Sequence, residues 1–152
     1  MNLTELLGLQ QIVPRLSAKD RWGVIDQLID VLVRTGKIRP EDRETVRKAV
    51  KDRETTKSTG IGYGIALPHA SVGCIQDVAA AFGRSAQGVD FQALDNQPVT
   101  MCVLFLAPQG QFQKHLLTLS TFARVLSNKE VRQKLEATQN AEEILAIFRA
   151  AS

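Results

Sequence analysis

The chain has 152 residues, 44% of them hydrophobic, and its 19 Lys and Arg against 16 Asp and Glu leave a net charge of +3. This length fits a single domain over residues 1–152 whose core needs neither disulfides nor metal. No apolar run approaches the roughly 20 residues of a membrane-spanning helix, and the N-terminal stretch lacks the basic start of a secretory signal. We therefore predict a cytoplasmic protein without a membrane span.

The small positive excess does not predict a nucleic-acid-binding protein. Nine of the 19 basic residues lie between positions 34 and 57, where acids are interleaved with them; this mixture is typical of a solvated helix face. Aromatic residues make up only 5% of the chain and are scattered, so no platform for base stacking is apparent. Weak attraction to acidic partners stays open on charge alone.

Two helices are predicted in the first third of the chain. Ser17, followed three residues later by Asp20, predicts an N-cap and a helix start. The following apolar residues recur at three- and four-residue steps, and Gly36 is placed to end the helix. Pro40 opens a second, highly charged helix. The apolar stripe of the first helix consists of Trp22, Ile25, Leu28, Ile29 and Leu32.

The middle of the chain predicts a loop followed by two strands, and the last third predicts helices. Residues 55–64 are rich in Gly, Ser and Thr and are predicted as loop. Residues 78–82 and 99–106 are short apolar runs typical of buried strands. Further helices are predicted after His115, with later ones capped at Ser127 and Asn140. This order predicts an α/β protein, a single-domain α/β/α sandwich with a mixed central sheet flanked by helices.

The glycines of the central loop offer one candidate binding site. Gly60, Gly62 and Gly64 permit backbone torsions that turn several N–H groups toward one anion. The stretch lacks the Gly-Lys-Ser/Thr end of a P-loop. Phosphate binding is therefore one hypothesis, and an ordinary turn that binds nothing is the other.

His69 adds a reactive group at the end of this loop. Imidazole titrates near neutral pH, and its unprotonated nitrogen is a good nucleophile toward phosphorus, while Pro68 stiffens the backbone before it. His115, the only other histidine, is either a partner of His69 or a polar residue near a helix end. Arg53 offers a guanidinium suited to phosphoryl oxygens. The alternative is that His69 only satisfies a buried hydrogen bond or faces water.

A zinc site or a Cys/His hydrolase is not predicted. His69, Cys74, Cys102 and His115 are residue types that zinc accepts, but their spacing fits no common zinc pattern. Cys102 lies within an apolar strand, where a small buried thiol is the usual interpretation. We predict two reduced thiols, no metal and no organic cofactor.

The motifs resemble those of a known family. Residues 53–54, 58–62 and 64–69 (RE, STGIG and GIALPH) resemble the motif of enzyme IIA domains of the phosphoenolpyruvate phosphotransferase system, of the fructose/mannitol and nitrogen-regulatory type. Phe91 and residues 94–98 are similar to the family's segment before its next core strand, and His115, Leu116 and Leu119 to its second-histidine helix. The resemblance spans roughly residues 5 to 149. Tyr63 departs from it, since the family often has Asn, His or Asp there.

The resemblance implies a phosphotransferase with a phosphohistidine intermediate. It implies that His69 accepts a phosphoryl group from the histidine-containing phosphocarrier protein, with tele-phosphohistidine expected, and passes it to an enzyme IIB. It also implies that Arg53 steadies the phosphoryl charge and that His115 lies beside the acceptor. The alternative is a regulatory module whose phosphorylation controls binding to a target protein. The implied phosphoryl-binding loop consists of Ser58, Thr59, Gly60, Gly62 and Gly64.

Overall fold

A computed structural model describes residues 3–151, in which a six-stranded mixed sheet lies between two layers of helices. This confirms the predicted α/β/α sandwich. The helices are α1 Arg21–Arg34, α2 Arg43–Thr56, α3 Leu116–Ser127, α4 Lys129–Glu136 and α5 Ala141–Ala151. The strands are β1 Ile12–Val13, β2 Gly60–Gly62, β3 Ile65–Ala66, β4 His69–Val72, β5 Ala79–Val89 and β6 Val99–Pro108. Short 3₁₀ turns cover Leu3–Glu5, Leu9–Gln11, Pro40–Asp42 and Gln113–His115.

Strand β6 organises the sheet. The strand order is β1-β5-β6-β3-β2, and β4 also pairs with β6. Pairing is antiparallel for β5–β6 and β2–β3 and parallel for β1–β5, β3–β6 and β4–β6. Successive side chains of β6 point to opposite sides of the sheet, and both sides are buried because helices cover each of them. Cys102, Leu104 and Leu106 join the core under α1 and α2, whereas Met101 and Phe105 join the core under α3, α4 and α5.

The first helix begins later than predicted. Asp20, not Ser17, is the N-cap of α1, and its Oδ1 accepts from the Gly23 N–H at 2.7 Å. The prediction of a start at Ser17 was wrong because that residue instead donates to Gln27 Oε1. The predicted end is confirmed: Gly36 follows the C-cap with φ +79°, the left-handed conformation that glycine adopts at little cost.

Two other boundaries differ from prediction. Helix α2 continues through Thr56, and β2 forms within the stretch predicted as loop; β2 pairs with the neighbouring β3, and β3 in turn pairs with the distant β6. Helix α4 is capped by Asn128, whose Oδ1 accepts from the Val131 N–H at 3.1 Å, because Ser127 still belongs to α3. The cap at Asn140 is confirmed, since its Oδ1 accepts from the Glu143 N–H at 2.9 Å.

Within residues 3–151, no helix has both the length and the apolar content needed to cross a bilayer.

Candidate functional site

A break between two short strands positions His69. Strand β3 ends at Ala66 and β4 begins at His69, and both pair with β6. Pro68 has no N–H to continue the ladder, although its carbonyl still accepts from the Phe105 N–H at 3.0 Å. The Leu67 carbonyl oxygen lies 2.6 Å from His69 Nδ1. Because a carbonyl only accepts hydrogen bonds, Nδ1 carries the proton and the neutral ring has its lone pair on Nε2.

Partial burial keeps the His69 imidazole uncharged at neutral pH. Desolvation is the main effect that lowers the pKa of His69 below its usual 6.5, and the nearby Arg53 guanidinium lowers it further. The hydrogen bond to Leu67 and the negative charge of Glu54 act in the opposite direction. The net lowering of the pKa favours the neutral ring, which is the nucleophilic form.

Two cavities meet at His69. The larger cavity, of about 350 Å³, contains most of the sequence-predicted site residues, and the smaller cavity has about 300 Å³. His69 and Arg53 line both. The other lining residues of the larger cavity are Lys57, Ser58, Thr59, Gly60, Ile61, Leu67, Leu94, Leu119, Ser120 and Ala123, and those of the smaller cavity are Ala49, Ala70, Ser71 and Phe112. His115, Gly62 and Gly64 line neither cavity.

Two cations reach the cavities from the end of α2. Arg53 Nη1 donates to the Lys57 carbonyl at 2.8 Å, a bond that satisfies a carbonyl at the helix C-terminus. The guanidinium is thereby held beside His69, where its planar fork suits phosphoryl oxygens. Lys57, which was not predicted from the sequence, adds a second positive charge to the larger cavity. The only feature of the sequence that could have indicated this role is its position directly before Ser58.

A buried carboxylate organises the loop that lines the larger cavity. Glu54 is 1% exposed and accepts from the Thr59 amide at 2.7 Å and from the Thr59 hydroxyl. Arg21 Nη1 lies 3.9 Å from Glu54 Oε2. The Gly60 amide donates to Ser58 Oγ at 3.0 Å. The amides of Thr59 and Gly60 therefore already have acceptors inside the protein, and phosphoryl binding by this loop stays a prediction.

The turn between β2 and β3 requires left-handed backbone at three successive residues. Gly62, Tyr63 and Gly64 have φ values of +96°, +59° and +78°; glycine adopts these freely, whereas tyrosine does so at a cost. The Tyr63 amide donates to Asp95 Oδ2 at 3.1 Å. The Tyr63 side chain is 66% exposed, and the Arg132 guanidinium lies 4.8 Å from its ring centroid.

The Phe112 side chain stacks against the His69 ring. Their ring centroids are 5.4 Å apart and their planes differ by 24°. His115 lies three residues further on, at the end of a 3₁₀ turn, and its amide donates to the Phe112 carbonyl at 3.0 Å. The role of His115 beside the acceptor stays a prediction. Phe112 was missed because an aromatic residue before a helix has no distinctive sequence pattern.

Metal ligands are not grouped in the described part of the chain. Among residues 3–151, no three His, Cys, Asp or Glu side chains are arranged to hold a metal ion. Both cysteines are free thiols, as predicted. Cys102 is 1% exposed in β6, and burial raises the pKa of its thiol well above the usual value, so the neutral thiol is favoured there.

Comparison with known sequences identifies the family. Residues 5–151 match the model of the phosphoenolpyruvate-dependent sugar phosphotransferase system, EIIA 2. The chain is 37% identical over 97% of its length to the fructose-specific EIIABC component of Bacillus subtilis, of which it spans only 23%. It is 36% identical to the fructose-specific EIIA component of Haloferax volcanii, with 82% of this chain and 81% of that protein covered.

Solved structures show the same fold. Nitrogen regulatory protein IIA-Ntr from Neisseria meningitidis superposes with a TM-score of 0.87 at 29% identity, covering 96% of this chain and 98% of that one. The mannitol enzyme IIA of Escherichia coli, solved in complex with phosphorylated enzyme IIB, superposes with a TM-score of 0.79 at 21% identity, covering 95% and 99%. The matching sequence model, together with a sheet and helices arranged as in these structures, shows that the chain belongs to the EIIA 2 family of the phosphoenolpyruvate-dependent sugar phosphotransferase system.

Proposed function

We propose that this protein is a phosphoryl carrier that accepts the phosphoryl group on Nε2 of His69. The observation that carries the proposal is the hydrogen bond between His69 Nδ1 and the Leu67 carbonyl. It leaves Nε2 as the nitrogen with the lone pair, so attack at phosphorus forms an Nε2–P bond while the donor's N–P bond breaks and its electron pair returns to the donor nitrogen. The Nδ1–H stays on the ring, and the Leu67 carbonyl stabilises the positive charge that the doubly substituted imidazole acquires.

Arg53 and Lys57 supply the positive charge that the transferred group requires. Both side chains line the larger cavity with His69. Phosphoryl transfer depends mainly on positioning and on fixed charges that face the equatorial oxygens. Arg53 is the better placed of the two, since its bond to the Lys57 carbonyl restrains the guanidinium before any phosphoryl group arrives.

We propose the histidine-containing phosphocarrier protein as donor and an enzyme IIB as acceptor, in the cytoplasm. The family supports this assignment, as does the fold shared with a mannitol enzyme IIA that was solved with a phosphorylated enzyme IIB. Because the His69 ring gains and loses the group by the same in-line step, both transfers are reversible. The whole chain over residues 1–152 acts as one domain in this proposal.

Intact-mass measurement tests the acceptor. The protein is incubated with phosphoenolpyruvate, enzyme I and the phosphocarrier protein, and one phosphoryl group is expected per chain. The adduct should be lost in acid, as N–P bonds are. His69→Ala should take up none, whereas the matched variant His115→Ala should still be labelled. Labelling of His69→Ala would overturn the site, and a long-range ¹H–¹⁵N spectrum showing phosphorylation at Nδ1 would overturn the proposed nitrogen.

Arg53 variants test the charge assignment. Arg53→Lys retains the charge but loses the planar fork, and we expect transfer to slow by about tenfold to a hundredfold because one transition-state contact is lost. Arg53→Gln should be slower still. Unchanged rates in both variants would show that Arg53 does not contact the phosphoryl group.

The second candidate function is a regulatory module that uses the same His69. It is favoured by the close superposition on nitrogen regulatory protein IIA-Ntr of Neisseria meningitidis, which is matched over 98% of its length. A phosphoryl group adds negative charge to the surface at His69 and would change which protein binds there. Incubating the phosphorylated protein with purified enzyme IIB proteins separates the two functions: transfer of the group supports the relay, and retention of the group in every mixture supports regulation.

A further inference from the structure

Phe112 packs against the ring of His69 but has no role in the phosphoryl-transfer steps proposed above. Phe112 lies just before the 3₁₀ turn Gln113–His115 and lines the smaller cavity with Arg53 and His69. Its ring also packs against the buried core cluster under α3, α4 and α5. Phe112 is therefore held from below by the core while its ring lies against the imidazole at a 24° interplanar angle.

Together these contacts restrain the imidazole in two ways. The Leu67 carbonyl holds Nδ1, but a hydrogen bond at one atom still allows small coupled changes in χ1 and χ2 that tilt the ring. A flat neighbour against the ring face removes this remaining freedom. The direction of the Nε2 lone pair, on which an in-line attack depends, is thus defined by the two contacts jointly.

We propose that Phe112 is a positioning residue for phosphoryl transfer, holding the imidazole of His69 in its reactive orientation and excluding water from one face of the ring. This inference rests on the proposed role of His69 as acceptor. Phe112 forms no bond with the phosphoryl group in this assignment and acts through the His69 ring.

Phe112 has two opposing effects on the pKa of His69. An aromatic face attracts an imidazolium, whereas exclusion of water penalises the charged form. Desolvation by burial is the first cause of the lowered pKa of His69, and the stacked Phe112 ring contributes to that burial. Among the described residues, the charged side chains that line the two cavities with His69 are Arg53 and Lys57, and Glu54 also acts on the pKa of His69; all three lie at the end of α2, whereas the α3 residues that line the larger cavity are uncharged.

An NMR titration tests the packing directly in the unphosphorylated protein. The chain has only two histidines, so His115→Ala assigns the single remaining Cε1–H signal to His69. We expect Phe112→Ala to raise the pKa of His69 toward its ordinary value, and Phe112→Leu to leave it lowered because leucine still excludes water. A pKa that falls or does not move in Phe112→Ala would overturn the proposal. Far-ultraviolet circular dichroism establishes that each variant is folded.

A transfer assay tests the orientation. With the phosphorylated phosphocarrier as donor at neutral pH, we expect Phe112→Ala and Phe112→Leu each to slow transfer by about tenfold or more, because leucine restores the apolar cover but not the flat contact. Leu117→Ala is the matched control, since this α3 residue is 74% exposed, and it should transfer at the wild-type rate. Wild-type rates in both Phe112 variants would overturn the proposal.

The two measurements separate this inference from the proposed function. If the wild-type protein takes up no phosphoryl group, the role of His69 as acceptor fails, and the positioning role of Phe112 fails with it, although the titration still reports whether the rings are packed. If the wild type is labelled and the Phe112 variants match it in rate and in the pKa of His69, only the inference about Phe112 is wrong.

Discussion

Removal of the Glu54 carboxylate tests the network that supports the loop beside His69. In Glu54→Ala, the amide and hydroxyl of Thr59 lose their acceptors at a position that is only 4% exposed. A buried donor without a partner costs about 1–3 kcal/mol, so the two together cost about 2–6 kcal/mol. The mutation also removes the unfavourable burial of a charge. We therefore expect a net loss of about 2–4 kcal/mol in the free energy of unfolding.

Two further variants separate this network from the general effect of losing an acid in α2. Glu54→Gln retains one oxygen as an acceptor for the Thr59 amide, and we expect a smaller loss of about 1–2 kcal/mol. Asp52→Ala is the matched control: its side chain is 65% exposed and pairs with Lys48 at 2.6 Å. Exposed pairs of this spacing contribute about 0.3–0.5 kcal/mol, so this variant should unfold almost as the wild type does.

Urea unfolding followed by circular dichroism measures the effect. With a slope of about 2 kcal/mol per molar urea, the expected loss for Glu54→Ala lowers the midpoint by about 1–2 M. The fluorescence of Trp22 is a poorer probe because the Arg21 guanidinium that faces Glu54 also lies 4.3 Å from the Trp22 ring centroid. A midpoint for Glu54→Ala within about 0.2 M of that for Asp52→Ala would refute the hydrogen-bond argument.

Three other predictions concern the site, the loop and a helix end. Because the pKa of His69 lies below 6.5, the initial rate of phosphoryl uptake should be flat above about pH 7 and fall on acidification as the ring takes up a proton; a fall that begins at higher pH would contradict the lowered pKa. Gly60→Ala should lose about 1–3 kcal/mol in chemical denaturation, since its Cβ would lie 2.7 Å from the Ala93 Cβ; wild-type stability would refute that overlap. Asn140→Ala should lose about 1 kcal/mol by removing the acceptor for the Glu143 amide, and a thermal melt equal to the wild type would show that the cap contributes nothing.

The helices, strand β6 and the first part of β5 were predictable from the sequence, whereas the rest of β5, which was predicted only over residues 78–82 but spans Ala79–Val89, and the short strands around the site were not. Periodic apolar residues predicted α1 and α3, and the apolar run at 99–106 predicted β6. Strands β1 to β4 have only two to four residues, too few to show a period of two. Strands β1, β3 and β4 form because β5 or β6, which lie far away in the sequence, provide hydrogen-bond partners, and β2 forms by pairing with the neighbouring β3.

The candidate site, too, was predictable from the sequence only in part. The residue types and order of the Arg53 to His69 segment were sufficient to predict the family and to select His69 and Arg53 as candidates. The segment could not indicate that the Leu67 carbonyl would meet Nδ1, that Glu54 would bind Thr59 inside the protein, or that Phe112 would lie against the His69 ring.

By itself, then, the sequence determined the layered fold, the family and the candidate acceptor His69, because periodicity and motifs are local properties that can be recognised without coordinates. Only the tertiary structure decided the protonated nitrogen, the ring that packs on His69 and the loop amides already in use. The Phe112 contact joins segments that are distant in the sequence, whereas the bonds to Leu67 and Glu54 are short in sequence but need the backbone conformation that β3 and β4 adopt when they pair with β6.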